Sequence, residues 1–156
     1  MEAAKLGIDY RRRVDIRAPR DRIFDAVGTV EGLRGWWTPL VVGAAETGGQ
    51  LCFAFEGLDE QVVMRVGEAT RPSTVRWTCT MHTGHPEWVG TTIAFDIGER
   101  DLWFRHVGLV PELQCYGVCE LGWDRFLASL AAYAETGRGA PFRATYDDRE
   151  DAPWQR

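Results

Sequence analysis

No stretch of this 156-residue sequence approaches the about 18 consecutive apolar residues that a membrane-spanning helix requires. The first residues also lack the apolar h-region of a secretory signal, so the expectation is a cytoplasmic protein without a membrane span. Basic charge is scarce: 18 Lys and Arg stand against 23 Asp and Glu, a net charge of −5. A phosphate-binding face needs the opposite balance, which excludes nucleic acid as a partner. Arg11-Arg12-Arg13 is the one basic run, and it reads as a solvated strand end. Only 4 cysteines occur, Cys52, Cys79, Cys115 and Cys119, too few for a disulfide framework in a chain this long. Reduced, buried thiols are expected. No P-loop, GxGxxG turn, GxSxG elbow or HExxH helix is present, so no familiar catalytic constellation marks an enzyme.

Aromatic residues are what the chain has in excess, with 7 Trp and 7 Phe. Large flat side chains either fill a core or line a ligand site. Hydrophobic residues at 45% and charged residues at 26% describe a globular chain. Its length suits one domain, which at this size buries roughly 70% of its unfolded surface.

Period-two alternation marks the strands. Residues 10–17 form the first, followed by a helix opening at Ala18-Pro19-Arg20-Asp21 and running through Val27. Proline at a helix start has its fixed φ already suited to the first turn. A second short helix over 30–36 stops before Thr38-Pro39, because the residue before proline is pushed out of helical geometry. Strands then follow over 50–55, 61–68 and 75–80, a loop over 81–87 and a strand over 91–97. A Gly98-Glu99-Arg100-Asp101 turn leads to a last strand through Leu102, Phe104 and His106. Short turns between neighbouring strands imply an antiparallel meander.

The long helix is expected from Pro111-Glu112 to Thr136, stopped by Gly137. Its apolar stripe of Cys115, Cys119, Trp123, Phe126, Leu127, Leu130 and Tyr133 has three- and four-residue spacing and lies along the sheet. Gly117 and Gly122 interrupt it, marking close backbone approach or room left for something else. The charged stretch 143–156 has no period and reads as a flexible tail beyond a 1–142 domain, with Trp154 able to latch onto a groove.

Taken in order, several segments carry a family likeness. These are Ile16-Arg17-Ala18-Pro19 with Ile23-Phe24-Asp25-Ala26, Trp36-Trp37, the run Trp88 to Ile97, Phe104-Arg105-His106-Val107-Gly108-Leu109, Cys115-Tyr116-Gly117-Val118-Cys119, Gly122-Trp123 and the stretch Leu130 to Pro141. Across nearly all of residues 8–142 the chain resembles the SRPBCC superfamily of START and birch-pollen-allergen proteins. Within it, the likeness is to the branch of the C-terminal domain of the activator of the 90-kDa heat-shock protein ATPase. The resemblance implies an α+β helix-grip fold: a curved antiparallel sheet wrapped around the long C-terminal helix, with two short helices after the first strand and an apolar cavity between. The superfamily hosts carriers, cyclases, hydrolases and adaptors, so fold alone does not fix function.

The expected cavity lining is Trp37, Phe53, Phe55, Met64, Trp77, Trp88, Phe95, Phe104, His106, Tyr116, Cys119, Trp123 and Phe126. His106 is either a ligand's polar anchor or general base, or a structural histidine held by a neighbouring hydroxyl or backbone group. Cys115 and Cys119, with Cys79, His82, His85 and His106 nearby, offer soft metal donors. Their spacing matches no zinc finger, an apolar stripe explains both helix cysteines, and the expectation is no metal and no cofactor. The leading reading is a protein that binds a small hydrophobic or aromatic molecule, with His106 and Tyr116 at its polar end. Two alternatives stand beside it: a cyclase- or hydrolase-type enzyme on an aromatic or polyketide-like substrate, and a chaperone-ATPase-activator-like interaction domain. The open sheet edges also allow a homodimer.

Overall fold

Alternation of apolar and polar side chains builds a sheet whose one face is closed by the C-terminal helix. The computed structural model describes residues 9–143. In chain order the elements are β1 (Tyr10–Asp15), α1 (Arg20–Gly28), α2 (Val30–Trp36), β2 (Leu40–Gly43), β3 (Gln50–Ala54), β4 (Gln61–Thr70), β5 (Thr74–His82), a 3-10 turn (Pro86–Trp88), β6 (Thr92–Ile97), β7 (Asp101–Val107) and α3 (Tyr116–Thr136). The seven strands form one antiparallel sheet in the order β1-β7-β6-β5-β4-β3-β2. This is the helix-grip α+β fold expected from the sequence. The expected tail, with Trp154, lies outside the described residues apart from Arg143.

Register places the apolar residues of adjacent strands side by side. Phe95 sits opposite Phe104, Ile93 opposite both His106 and Trp77, and Val66 opposite Trp77. The β4-β5 ladder skips once at Thr80 and once at Gly67. Each extra residue bends its strand and increases the local twist, which curves the sheet around α3. The first bulge also shifts the side-chain phase of β5. Val75, Trp77 and Cys79 face the core, and after the skip His82 rejoins them.

Among the differences from the sequence expectation are an unforeseen edge strand and two displaced element ends. The edge strand β2 has only four residues, with Leu40 and Val42 exposed, too short to show a period. The strand expected to end at Thr80 continues to His82. The long helix begins at Tyr116 rather than near Pro111, because residues 110–115 form turns closed by Leu113 N–H to Val110 O and Tyr116 N–H to Leu113 O. Gly137 ends it as expected, with φ 85° and its N–H on Tyr133 O.

The basic run at the start is more than a solvated strand end. Arg12 lies over the Tyr10 ring and pairs with Glu120 at 3.1 Å and Asp124 at 2.9 Å, tying β1 to α3. Tyr10 donates its hydroxyl to the same Asp124. Burial and this carboxylate hold the phenol well above its ordinary pKa.

α1 and α2 meet at a sharp corner. A Cβ on Gly32 would come within 2.0 Å of Asp25 O, so only glycine allows the approach. Thr29 caps α2: its Oγ1 accepts from Gly32 N–H at 2.9 Å and donates to Asp25 O at 2.7 Å. Thr29→Ala is expected to lower the unfolding free energy by about 1 kcal/mol, read from the urea midpoint at unchanged slope.

Candidate functional site

Aromatic side chains from five regions converge where the sheet opens away from β1. They surround a cavity of about 250 Å³ between β3-β5, the 83–88 segment and the first turns of α3. Trp37, Phe55, Trp88, Trp123, Phe126 and Phe142 supply its aromatic walls. Trp88 stacks on Trp123 at 5.9 Å, and Trp37 lies 5.2 Å from Trp123 and 4.5 Å from Phe53. Phe142 follows α3 and returns over the site, its N–H donating to Trp37 O at 2.8 Å. Leu58 and Val118 line the cavity while 43% and 48% exposed, and so form its mouth. Gly122 is room rather than close approach: a Cβ there would meet nothing within 4 Å.

The polar groups on the wall are few: Glu60, His82 and His85. His82 Nδ1 accepts from Gly84 N–H at 3.1 Å and His85 N–H at 2.9 Å, so the neutral ring carries its proton on Nε2. That N–H has no acceptor among the described residues, and the ring faces the cavity. Burial, with a smaller contribution from His85, pushes the His82 pKa down to about 4.

His106 sits behind the wall, 0% exposed. Its Nδ1 accepts the Trp123 indole N–H at 3.0 Å, which fixes the proton on Nε2. Nε2 in turn lies 2.8 Å from Thr91 Oγ1, and Thr91 passes its own proton 2.6 Å to Trp88 O. The result is a closed relay from Trp123 through His106 and Thr91 to Trp88. The sequence reading that set His106 at a ligand's polar end is corrected here. Both ring nitrogens are engaged, and the histidines on the cavity are His82 and His85.

Burial pushes the His106 pKa down to about 3, with Asp9 opposing the shift. The depressed value implies an acid dependence of stability. The unfolded ring takes a proton below its ordinary 6.5 and the folded one only near 3, so the contribution is complete above 6.5 and lost as pH falls. His82, held near 4, adds a contribution of the same sign, so urea unfolding is expected to weaken by about 1 kcal/mol per pH unit for each of the two rings between about 6.5 and about 5, above the range where carboxylates titrate.

Of the thirteen lining residues expected from the sequence, Trp37, Phe55, Trp88, Cys119, Trp123 and Phe126 are on the wall. Phe53, Met64, Trp77, Phe95 and Phe104 are at most 1% exposed and fill the core beneath it. Tyr116 is half-buried at the start of α3, off the wall. Glu60, His82, His85 and Phe142 were not among the expected lining residues. The bulge in β5 and the return of the chain after α3 place three of them, and neither leaves a mark in the local pattern.

Thiols border the same space. The donor atoms of His85, Cys115 and Cys119 all lie within 4.8 Å of one another, whereas Cys79, His82 and His106 stand outside that group. Cys119 Sγ accepts the Trp88 indole N–H at 3.2 Å. Glu87 holds the turn that leads into α3, accepting from Cys115 N–H at 3.1 Å and Gln114 N–H at 3.4 Å. The Cys115 thiol and backbone hold the Glu87 carboxyl below its usual range. Burial raises the Cys115 and Cys119 pKa values.

No protein-family model matches the chain, and no curated protein matches it. Solved structures do. The Aha1 dimer from Colwellia psychrerythraea superposes with a TM-score of 0.73 at 27% identity, over 85% of this chain and 99% of that one. The protein SSP2350 from Staphylococcus saprophyticus matches with a TM-score of 0.66 at 19% identity, over 85% and 96% of the two chains. DynU16, a putative protein in the dynemicin biosynthetic locus, matches with a TM-score of 0.62 at 20% identity, over 83% of this chain and 48% of its own. The last two show the shared fold. Together with the seven-strand sheet gripping α3, these likenesses show the helix-grip fold, and the likeness to the Aha1 dimer agrees with the resemblance to the Aha1-like branch of the SRPBCC superfamily read from the sequence.

Proposed function

We propose that the protein binds a small aromatic molecule in the cavity beside α3, with an acceptor group of that molecule on His82 Nε2–H. The observation that carries this reading is the conjunction of an aromatic-walled, surface-connected cavity with a histidine on its wall whose orientation is fixed through Nδ1 while Nε2–H has no acceptor among the described residues. Its volume, about 250 Å³, is close to the lower end of ligand sites and suits a molecule of one or two fused rings. Ring contacts with Trp37, Trp88 and Trp123 supply affinity, and a single buried hydrogen bond supplies orientation. The enzyme alternative built on His106 as a base has no free ring nitrogen to work with.

The test is a titration of tryptophan emission with 2-acetonaphthone and with 2-ethylnaphthalene, which share a shape but differ in the acceptor. Both are expected to quench, the ketone binding about 2- to 10-fold tighter, and His82→Phe is expected to erase that preference. Absence of quenching by either compound overturns the reading. The Aha1 neighbour is a dimer, which supports a second expectation, that two copies of this chain associate. Sedimentation equilibrium decides it.

A further inference from the structure

The cavity leaves unexplained why two thiols and an imidazole gather at its edge. We propose that His85, Cys115 and Cys119 form a site for one soft divalent cation of the zinc class, with a fourth coordination position open toward the cavity. The proposal goes beyond small-molecule binding and stands without it.

Three different constraints bring the donors together. Cys115 and Cys119 are four residues apart, so the first turn of α3 presents both sulfurs on one face. His85 arrives from the segment after β5, its backbone N–H fixed by His82 Nδ1 and its carbonyl accepting from Trp88 N–H. Their donor atoms lie within 4.8 Å of one another. Tetrahedral zinc with sulfur at about 2.3 Å and nitrogen at about 2.0 Å needs donors about 3.5–4 Å apart. Closing the widest gap takes about 1 Å, within reach of side-chain rotation alone.

Donor chemistry and outer contacts agree with this placement. Two thiolates and an imidazole are a soft set that favours zinc over calcium or magnesium, and three protein ligands leave one position free. Each thiol gives its proton to solvent as its sulfur bonds the metal, and nothing is oxidised or reduced. The dication is then neutralised by two thiolates beside a neutral imidazole, so no net charge is placed in apolar surroundings. The Trp88 indole N–H already points at Cys119 Sγ from 3.2 Å, the kind of outer contact that supports a bound thiolate. Glu87 holds the Cys115 backbone at 3.1 Å and fixes the turn from which that sulfur projects. His85 and Cys119 also line the cavity, which orients the open position toward it.

The experiment titrates the full chain, stripped with EDTA and kept reduced with a phosphine, with Co²⁺ and then Zn²⁺. One equivalent of Co²⁺ is expected to give tetrahedral d–d bands and a thiolate charge-transfer band whose intensity reports two sulfurs, all abolished by one equivalent of Zn²⁺. Cys115→Ser, Cys119→Ser and His85→Ala are each expected to weaken binding by at least about 100-fold, beyond the 10- to 100-fold of outer-shell changes. Cys52→Ser, at a thiol outside the group, is expected to leave it unchanged. Near-ultraviolet circular dichroism checks that each variant is folded. The wild-type spectrum is decisive by itself: no charge-transfer band, or an intensity matching one sulfur or none, overturns the proposal. So does binding that persists in both cysteine variants.

Discussion

His106→Ala is expected to remove about 3–5 kcal/mol of stability, a large share of the roughly 5–15 kcal/mol a domain has. Two costs combine. Truncating a fully buried ring leaves a void that the surrounding Trp88, Trp123 and Ile93 do not collapse to fill. The Trp123 indole N–H also loses its acceptor and Thr91 loses its partner, and an orphaned buried polar group costs about 1–3 kcal/mol. The relay itself is measured by a double-mutant cycle. His106→Ala and Trp123→Phe share one hydrogen bond, so their combined loss should fall short of the sum by about 1 kcal/mol. Urea unfolding of the four proteins gives the result. A single-variant loss below about 1 kcal/mol would falsify the sealed-relay account of this histidine.

Gly122→Leu is expected to cut the affinity for aromatic probes by about 100-fold, a loss of about 2.7 kcal/mol, while leaving the protein folded. The position is unusual because it is helical, on the cavity wall and unobstructed, with no atom within 4 Å of an added Cβ. A leucine there projects into the about 250 Å³ a ligand would use. Exchanging glycine for a good helix former also favours α3 by about 1 kcal/mol, so lost binding cannot be blamed on unfolding. Gly122→Ala separates the two effects, since it should give the helix gain with a smaller loss of affinity. Should 2-acetonaphthone bind Gly122→Leu as tightly as the unaltered protein, the ligand site lies elsewhere.

Much of the architecture is legible in the sequence, and the reason is periodicity. The alternation in 91–97 and through Leu102, Phe104 and His106 forces one face of each strand inward, and burial follows it except at Ala94, which is buried on the other face. Gly137 stops the long helix because a left-handed residue is needed there. The helix start is not legible because a distant contact helps to set it. Glu87, nearly thirty residues earlier, holds the Gln114 and Cys115 N–H groups in the turns just before α3, and nothing near Pro111 announces it. The site is half legible: apolar wall residues announce themselves, but the polar ones depend on a register skip and a long-range return.

The sequence by itself determined the class of the fold, the strand faces, the helix stripe and the presence of a histidine in the apolar interior. Each of these is a local pattern, set by a repeat of two or of 3.6 residues. Only the tertiary structure decided which histidines meet the cavity. The bulge at Thr80 turns His82 onto the wall, while Trp123 and Thr91 consume both nitrogens of His106. It also decided that Cys115 and Cys119 face His85 rather than one another alone. Hydrogen-bond partners and ligand sets are made by residues far apart in the chain, and spacing along a sequence does not encode distance across a fold.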